Sequence, residues 1–148
     1  MTKSTIIKSL FKWFADCEIL NPDNDLNVDY LDEEPENYCI EVVPCNPVIK
    51  SYVDGSAKCQ YLFVFAGREH YSSDEVLNMS NLEFFERLEE WILNQNTSGM
   101  LPELPDNCTP QSVKVLSSGY VMDNDTKTAR YQIQCRLIYT KTGGKLNG

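Results

Sequence analysis

The sequence predicts an α+β domain in the order helix, three strands, helix, two strands, with a mixed or antiparallel five-stranded sheet and the helices packed on it. Three stretches predict it. Ser80–Asn96, SNLEFFERLEEWILNQN, repeats apolar residues at spacings of three and four, the period of a helix with one buried face. Cys59–Gly67, CQYLFVFAG, is apolar on both of the faces a strand presents, as a central strand covered on both sides would be. Ala129–Tyr139 alternates: Tyr131, Ile133, Cys135, Leu137 and Tyr139 point one way, and Arg130, Gln132, Gln134 and Arg136 the other.

The remaining elements follow in chain order. Ser4–Phe14 predicts a short amphipathic helix with Ile7, Leu10, Phe11 and Phe14 on one face. Asn21-Pro22-Asp23-Asn24-Asp25 is a turn cluster. Leu26, Val28 and Tyr30 alternate with Asn27 and Asp29 as a half-buried strand. The acidic turn Asp32-Glu33-Glu34-Pro35-Glu36-Asn37 leads into a second strand, Tyr38–Val43, so the pair is expected to form a hairpin. Pro44–Ala57 reads as an irregular loop, because Pro44 and Pro47 break a strand ladder and Asp54-Gly55-Ser56 is a turn. One cover for the Cys59–Gly67 strand would be a helix of this chain, and the other a neighbouring subunit. For the main helix, Ser80 and Glu83 form a capping box, Leu82, Phe85, Leu88 and Ile92 share a face, and Phe84 and Trp91 widen its rim. Gly99 and Pro102 stop it. Leu101–Pro105 is an extended linker, and Gln111–Met122 a strand with an irregularity at Ser117-Ser118-Gly119. Asp123-Asn124-Asp125 turns the chain into the last strand. Residues 1–141 are expected to form one domain and 142–148 a mobile polar tail.

Composition narrows the function. A hydrophobic fraction of 42% and an aromatic fraction of 11% belong to a folded chain. No run approaches the roughly 20 apolar residues of a membrane span, and the N-terminus lacks a signal-peptide pattern. The six cysteines are therefore expected as reduced thiols of a protein made in the cytoplasm. With no C-x-x-C and only His70, a metal site is not expected. Acidic residues outnumber basic ones 22 to 13, giving a net charge of −9, which disfavours tight nucleic-acid binding. No catalytic motif, cofactor loop or phosphate loop is present, so no enzymatic activity is expected.

Assembly remains. The two-sided strand, the loop residues Val48, Ile49, Tyr52 and Val53, and the rim residues Phe84 and Trp91 form candidate contact surfaces. Asp32, Glu33, Glu34 and Glu36 form a candidate acidic rim. The alternative is that these apolar features belong to a monomer's core.

The ordered pattern resembles the tail terminator (tail completion) proteins of long-tailed bacteriophages and prophages, often described as minor capsid proteins in Gram-positive hosts. The residues that carry it are Leu10-Phe11-Lys12-Trp13-Phe14, Ser51-Tyr52-Val53-Asp54-Gly55-Ser56, Tyr61-Leu62-Phe63-Val64-Phe65, Ser80-Asn81-Leu82 leading to Trp91 and Asn94-Gln95-Asn96, Leu101-Pro102-Glu103-Leu104-Pro105, and Tyr131-Gln132-Ile133-Gln134. The resemblance covers nearly the whole chain, and the order and spacing of the pieces carry it. It implies a helix–three-strand–helix–two-strand fold and a ring, typically a hexamer, on the head-proximal end of the tail tube of a virion. There it would stop tube polymerisation and offer a surface to the head connector, or also to the sheath of a contractile tail. In a headless, tail-like bacteriocin it would simply close the tube. DNA would pass through the lumen unbound. Another head–tail joining or tail tube ring protein is the alternative, followed by a small-molecule-binding or modifying enzyme.

Overall fold

The structure, a computed structural model, describes residues 5–29, 31, 33–71, 74–124 and 128–143, with the backbone alone for 118–124. Its elements are α1 (Ile6–Ala15), β1 (Asp25–Val28), β2 (Asn37–Val43), β3 (Val48–Ser51), β4 (Ala57–His70), α2 (Glu75–Thr97), β5 (Cys108–Asn124) and β6 (Thr128–Lys141). The expected α+β class holds: the strands form one mixed sheet with helices packed on it. It has six strands rather than five, in the order β1-β2-β4-β6-β5, with β3 also paired to β4.

β4 lies at the centre, as its two apolar faces predict. It pairs antiparallel with β2 over residues 62–68, with β3 over 57–59, and with β6 along its whole length. β3 is the first correction. Part of the expected Pro44–Ala57 loop is an edge strand that resumes along β4 where β2 leaves it, after the interruption Pro44-Cys45-Asn46-Pro47. The prolines remove donors but do not turn the chain away, because Gln60 N–H donates to Pro47 O at 2.8 Å and its side chain to Asn46 O at 2.9 Å.

The second correction concerns β1 and β2, which pair parallel and not as a hairpin. Asp29 takes a left-handed conformation (φ 54°), and its N–H donates to Ile40 O at 2.8 Å. The chain then returns to the start of β2. On the way Leu31 packs against Cys39, Val64 and Ala66, on the face of the sheet opposite the helices. Part of the second face of β4 is thus covered by the chain's own loop, where a neighbouring subunit was expected.

Both helices lie on the other face. Alternation puts Tyr38, Ile40, Phe63, Phe65, Tyr131, Ile133, Cys135, Leu137 and Val113 towards them, and all are buried. The expected inward set of β6 is therefore observed. The ring centroids of Phe14 and Phe65 lie 4.8 Å apart, and those of Trp13 and Trp91 4.7 Å apart. Gly67 permits this packing: a Cβ there would come within 3.2 Å of the Tyr38 ring and 3.5 Å of Phe85.

α2 begins earlier than expected. Its N-cap is Asp74, whose carboxylate accepts from Val76 N–H at 2.9 Å, so Ser80 and Glu83 stand inside the helix and cap nothing. Phe85, Leu88, Trp91 and Ile92 are buried. Leu82, expected among them, is 39% exposed, and Asn81 takes the inward position. The stop at Gly99 is as expected: φ is +72°, Met100 N–H reaches Gln95 O at 2.8 Å, and Gly99 N–H reaches Asn96 O at 3.2 Å. β5 starts at Cys108, before the expected Gln111, and its register shifts around Ser117 as predicted. In the expected tail, Thr142 N–H donates to Asn107 O at 2.8 Å, which ties that residue to the domain. Residues 144–148 lie outside the described residues.

Candidate assembly surfaces

The surface predicted on the Pro44–Ala57 segment is a hairpin tip. Backbone bonds close it, from Tyr52 N–H to Ser56 O (2.8 Å) and from Gly55 N–H to Tyr52 O (3.0 Å). The Asp54 carboxylate accepts from the Ser56 amide at 2.9 Å and hydroxyl at 2.6 Å. Those bonds hold the Asp54 carboxyl below the usual carboxylate range. On this fixed frame Val48 is 42%, Ile49 44% and Tyr52 42% exposed, and Val53 fully so. The Lys50 ammonium sits 5.6 Å from the centre of the Tyr52 ring. A hairpin held by its own hydrogen bonds thus presents four large apolar side chains to solvent.

The rim residues of α2 separate. Trp91 is 8% exposed and packed on Trp13 and Phe14, so it is core and not surface. Trp13 Nε1–H completes that contact by donating to Met100 O at 2.9 Å. Sequence periodicity put Trp91 at an edge because it does not show that α1 packs there. Phe84 is half-buried and stacked on Tyr38, with centroids 5.5 Å apart. Of the acidic rim, Glu33, Glu34 and Glu36 are exposed, and Asp32 lies outside the described residues.

Sequence reading missed two features. Glu69, at the end of β4, faces the helix side: burial pushes its carboxyl up to about 7, and the Glu36 carboxylate adds to the shift. His70, the last residue of β4, is exposed and lies 3.6 Å from Glu36 Oε1. On the opposite face, Arg130 grips Glu41 with bonds of 2.5 and 3.1 Å, which hold the Glu41 carboxyl below its usual range. No single position signals either feature; both need the pairing of β4 with β2 and β6.

The six cysteines are free, and burial raises the thiols of Cys17, Cys39, Cys108 and Cys135, that of Cys39 to about 12. Such thiols are inert small hydrophobes and not nucleophiles. Among the described residues no three His, Cys, Asp or Glu side chains gather where a cation could sit, and no helix is long and apolar enough to cross a membrane. The described residues line several open clefts, three of them on the helix side or the sheet edge. One of about 540 Å³ runs between α2 and β5, lined by Leu93, Asn96 and Val113. One of about 500 Å³ lies between the ends of α1 and α2, and one of about 160 Å³ lies beside Phe11 and Val28. Glu69 lines none of the three.

No protein-family model matches the chain, and no curated protein shows significant similarity to it.

Proposed function

We propose that this chain is a structural subunit of a phage or phage-tail-like particle, a tail terminator that forms a ring on the head-proximal end of the tail tube. The ring would stop tube growth and offer its other side to the head connector, or also to a sheath. The observation that carries the reading is the braced hairpin tip with Val48, Ile49, Tyr52 and Val53 exposed. A chain of this size gains nothing for its own core by stiffening a loop around four uncovered apolar side chains, whereas a contact between copies or with a tube end buries them. The order of motifs that resembles tail terminators supports the same reading. The acidic surplus suits a lumen through which DNA passes without sticking.

The test is purified Ile49→Asp and Tyr52→Ala protein. Both variants are expected to fold like the unaltered chain and to lose ring formation and tube capping, scored by electron microscopy and solution mass. Intact capping by both would remove the hairpin from the interface. Long tubes formed by the unaltered protein alone would point instead to a tail tube protein. Stabilisation by one class of metabolite in a thermal-shift screen would favour a ligand-binding role.

A further inference from the structure

The charges of this chain are unevenly placed: α1 carries Lys8 and Lys12 and β2 carries Glu41, but the β5–β6 end of the sheet and α2 are each nearly of one sign. β5 from Cys108 to Ser117 and β6 from Thr128 to Lys141 contain no acidic residue, and the one in β4, Glu69, faces the helices. On the face away from the helices, Lys114 stands directly opposite Arg136 across the β5–β6 pair, and Lys58 lies on the same face of β4. Like charges placed directly opposite each other cost stability. Arg130 is matched by Glu41, but Lys58, Lys114 and Arg136 have no carboxylate partner among the described residues, and Arg136 Nε is buried without a hydrogen bond. Leu62, opposite Arg136 on β4, is a half-buried apolar residue between the cations, and Ile138 is buried beside them. The Leu31 loop packs on the other end of this face, against Cys39, Val64 and Ala66, while at this end Lys114 is exposed and Lys58 half-buried.

The opposite layer carries the complement. α2 has five glutamates and one basic residue, Arg87. Helical spacing puts Glu83, Glu86 and Glu90 on its outer face together with Met79 and Leu93, which are 55% and 64% exposed.

We infer that the outer face of α2 from a second copy of this chain docks on the cationic end of the sheet, setting Glu86 and Glu90 beside Arg136 and Lys114, with Lys58 on the same face further along β4. The spacing agrees for the directly opposed pair: strands lie about 4.8 Å apart and Glu86 and Glu90 about 6 Å apart along the helix, so a helix crossing the strands meets Arg136 and then Lys114, while Lys58 lies four residues along β4 from Leu62. Met79 and Leu93 then cover Leu62. The glutamates lie on the helix layer and Lys58 and Arg136 on the outer face of the sheet, so the contact is head-to-tail, although Lys114 also borders the cleft that Glu90 and Leu93 line. Such a contact closes as a ring when its rotation divides a full turn and otherwise grows as a filament. It rests on the ring reading above and specifies which surfaces the ring uses. DNA is the other polyanion that could meet these cations, but the leucine between them fits an amphipathic helix and not a phosphate backbone.

Charge reversal tests it. A sheet variant, Lys58→Glu with Lys114→Glu, and a helix variant, Glu86→Lys with Glu90→Lys, change only partly or fully exposed side chains, and circular dichroism checks that each folds. Each alone is expected to lose self-association by on the order of a hundredfold, because like charges then face one another. Mixed one to one they are expected to assemble again, in alternation, since each then offers what the other lacks; sedimentation velocity reads all three. Rings formed normally by both separate variants would end this contact and leave the ring reading standing. An unaltered protein that stays monomeric, alone and with tail tubes, would end both. Normal assembly by the sheet variant with reduced retention on immobilised duplex DNA would assign the face to DNA and overturn the inference.

Discussion

Glu69 shows how one residue's setting becomes a property of the whole fold. Its carboxyl is raised to about 7 by burial, with Glu36 as the lesser cause. Below its ordinary value of 4.5 it is protonated in both the folded and unfolded chain and costs nothing. As pH rises from there to about 7 the unfolded chain ionises first, so stability falls across that window. Glu69→Gln is therefore expected to leave stability unchanged at acid pH and to raise it by roughly 1–2 kcal/mol at pH 8, allowing for solvent screening. Denaturant titrations at both ends of the window would check this, and an equal effect at the two would mean that burial of charge is not the cause. Glu41 works in the opposite sense: Arg130 stabilises its ionised form, a contribution lost as pH falls through its lowered value.

At the scale of elements, α2 is tied to the sheet by two asparagines as well as by its apolar stripe. Asn81 Nδ2 donates to His70 O at 2.8 Å and to the Tyr131 hydroxyl at 3.3 Å. Asn96 does more. Its amide donates to Val113 O at 2.6 Å and accepts from Val113 N–H at 2.8 Å, as a neighbouring strand would, and it also donates to Ile92 O at 2.7 Å. One side chain thus occupies the outer edge of β5 at Val113. Asn96→Ala leaves both Val113 groups without that partner and is expected to destabilise the fold by about 1–3 kcal/mol. Amide exchange should quicken at Val113 before other positions in β5. Unchanged exchange there would show that the bond contributes nothing to holding the edge. The signal in the sequence was weak: Asn96 looks like the end of a helix, and only the approach of β5 turns it into a clamp.

For the whole molecule, the acidic helix α2 and the cationic β5–β6 end of the sheet carry opposite charge, although α1 adds Lys8 and Lys12 to the helix layer and β2 adds Glu41 to the sheet. Surfaces that complement each other from opposite sides favour ring closure over pairing. A concentration series in the ultracentrifuge is expected to pass from monomer to ring with no populated two-fold dimer. A stable dimer that never grows would contradict the head-to-tail arrangement. Because the attraction is ionic and partly exposed, added salt should weaken the ring while leaving the thermal melt of the monomer nearly unchanged.

The sequence by itself determined the fold class, the central strand β4, the inward face of β6 and the Gly99 stop. Each rests on local periodicity or on a backbone preference that neighbours in the chain already express. Only the tertiary structure decided that β1 and β2 run parallel, that β3 joins the sheet, that Trp91 belongs to the core and that α2 starts at Asp74. A strand's partner and direction depend on where the chain returns in space, and a residue at a helix rim is buried or bare according to what packs beside it. Period tells which side chains share a face; only the assembled layers tell what that face meets.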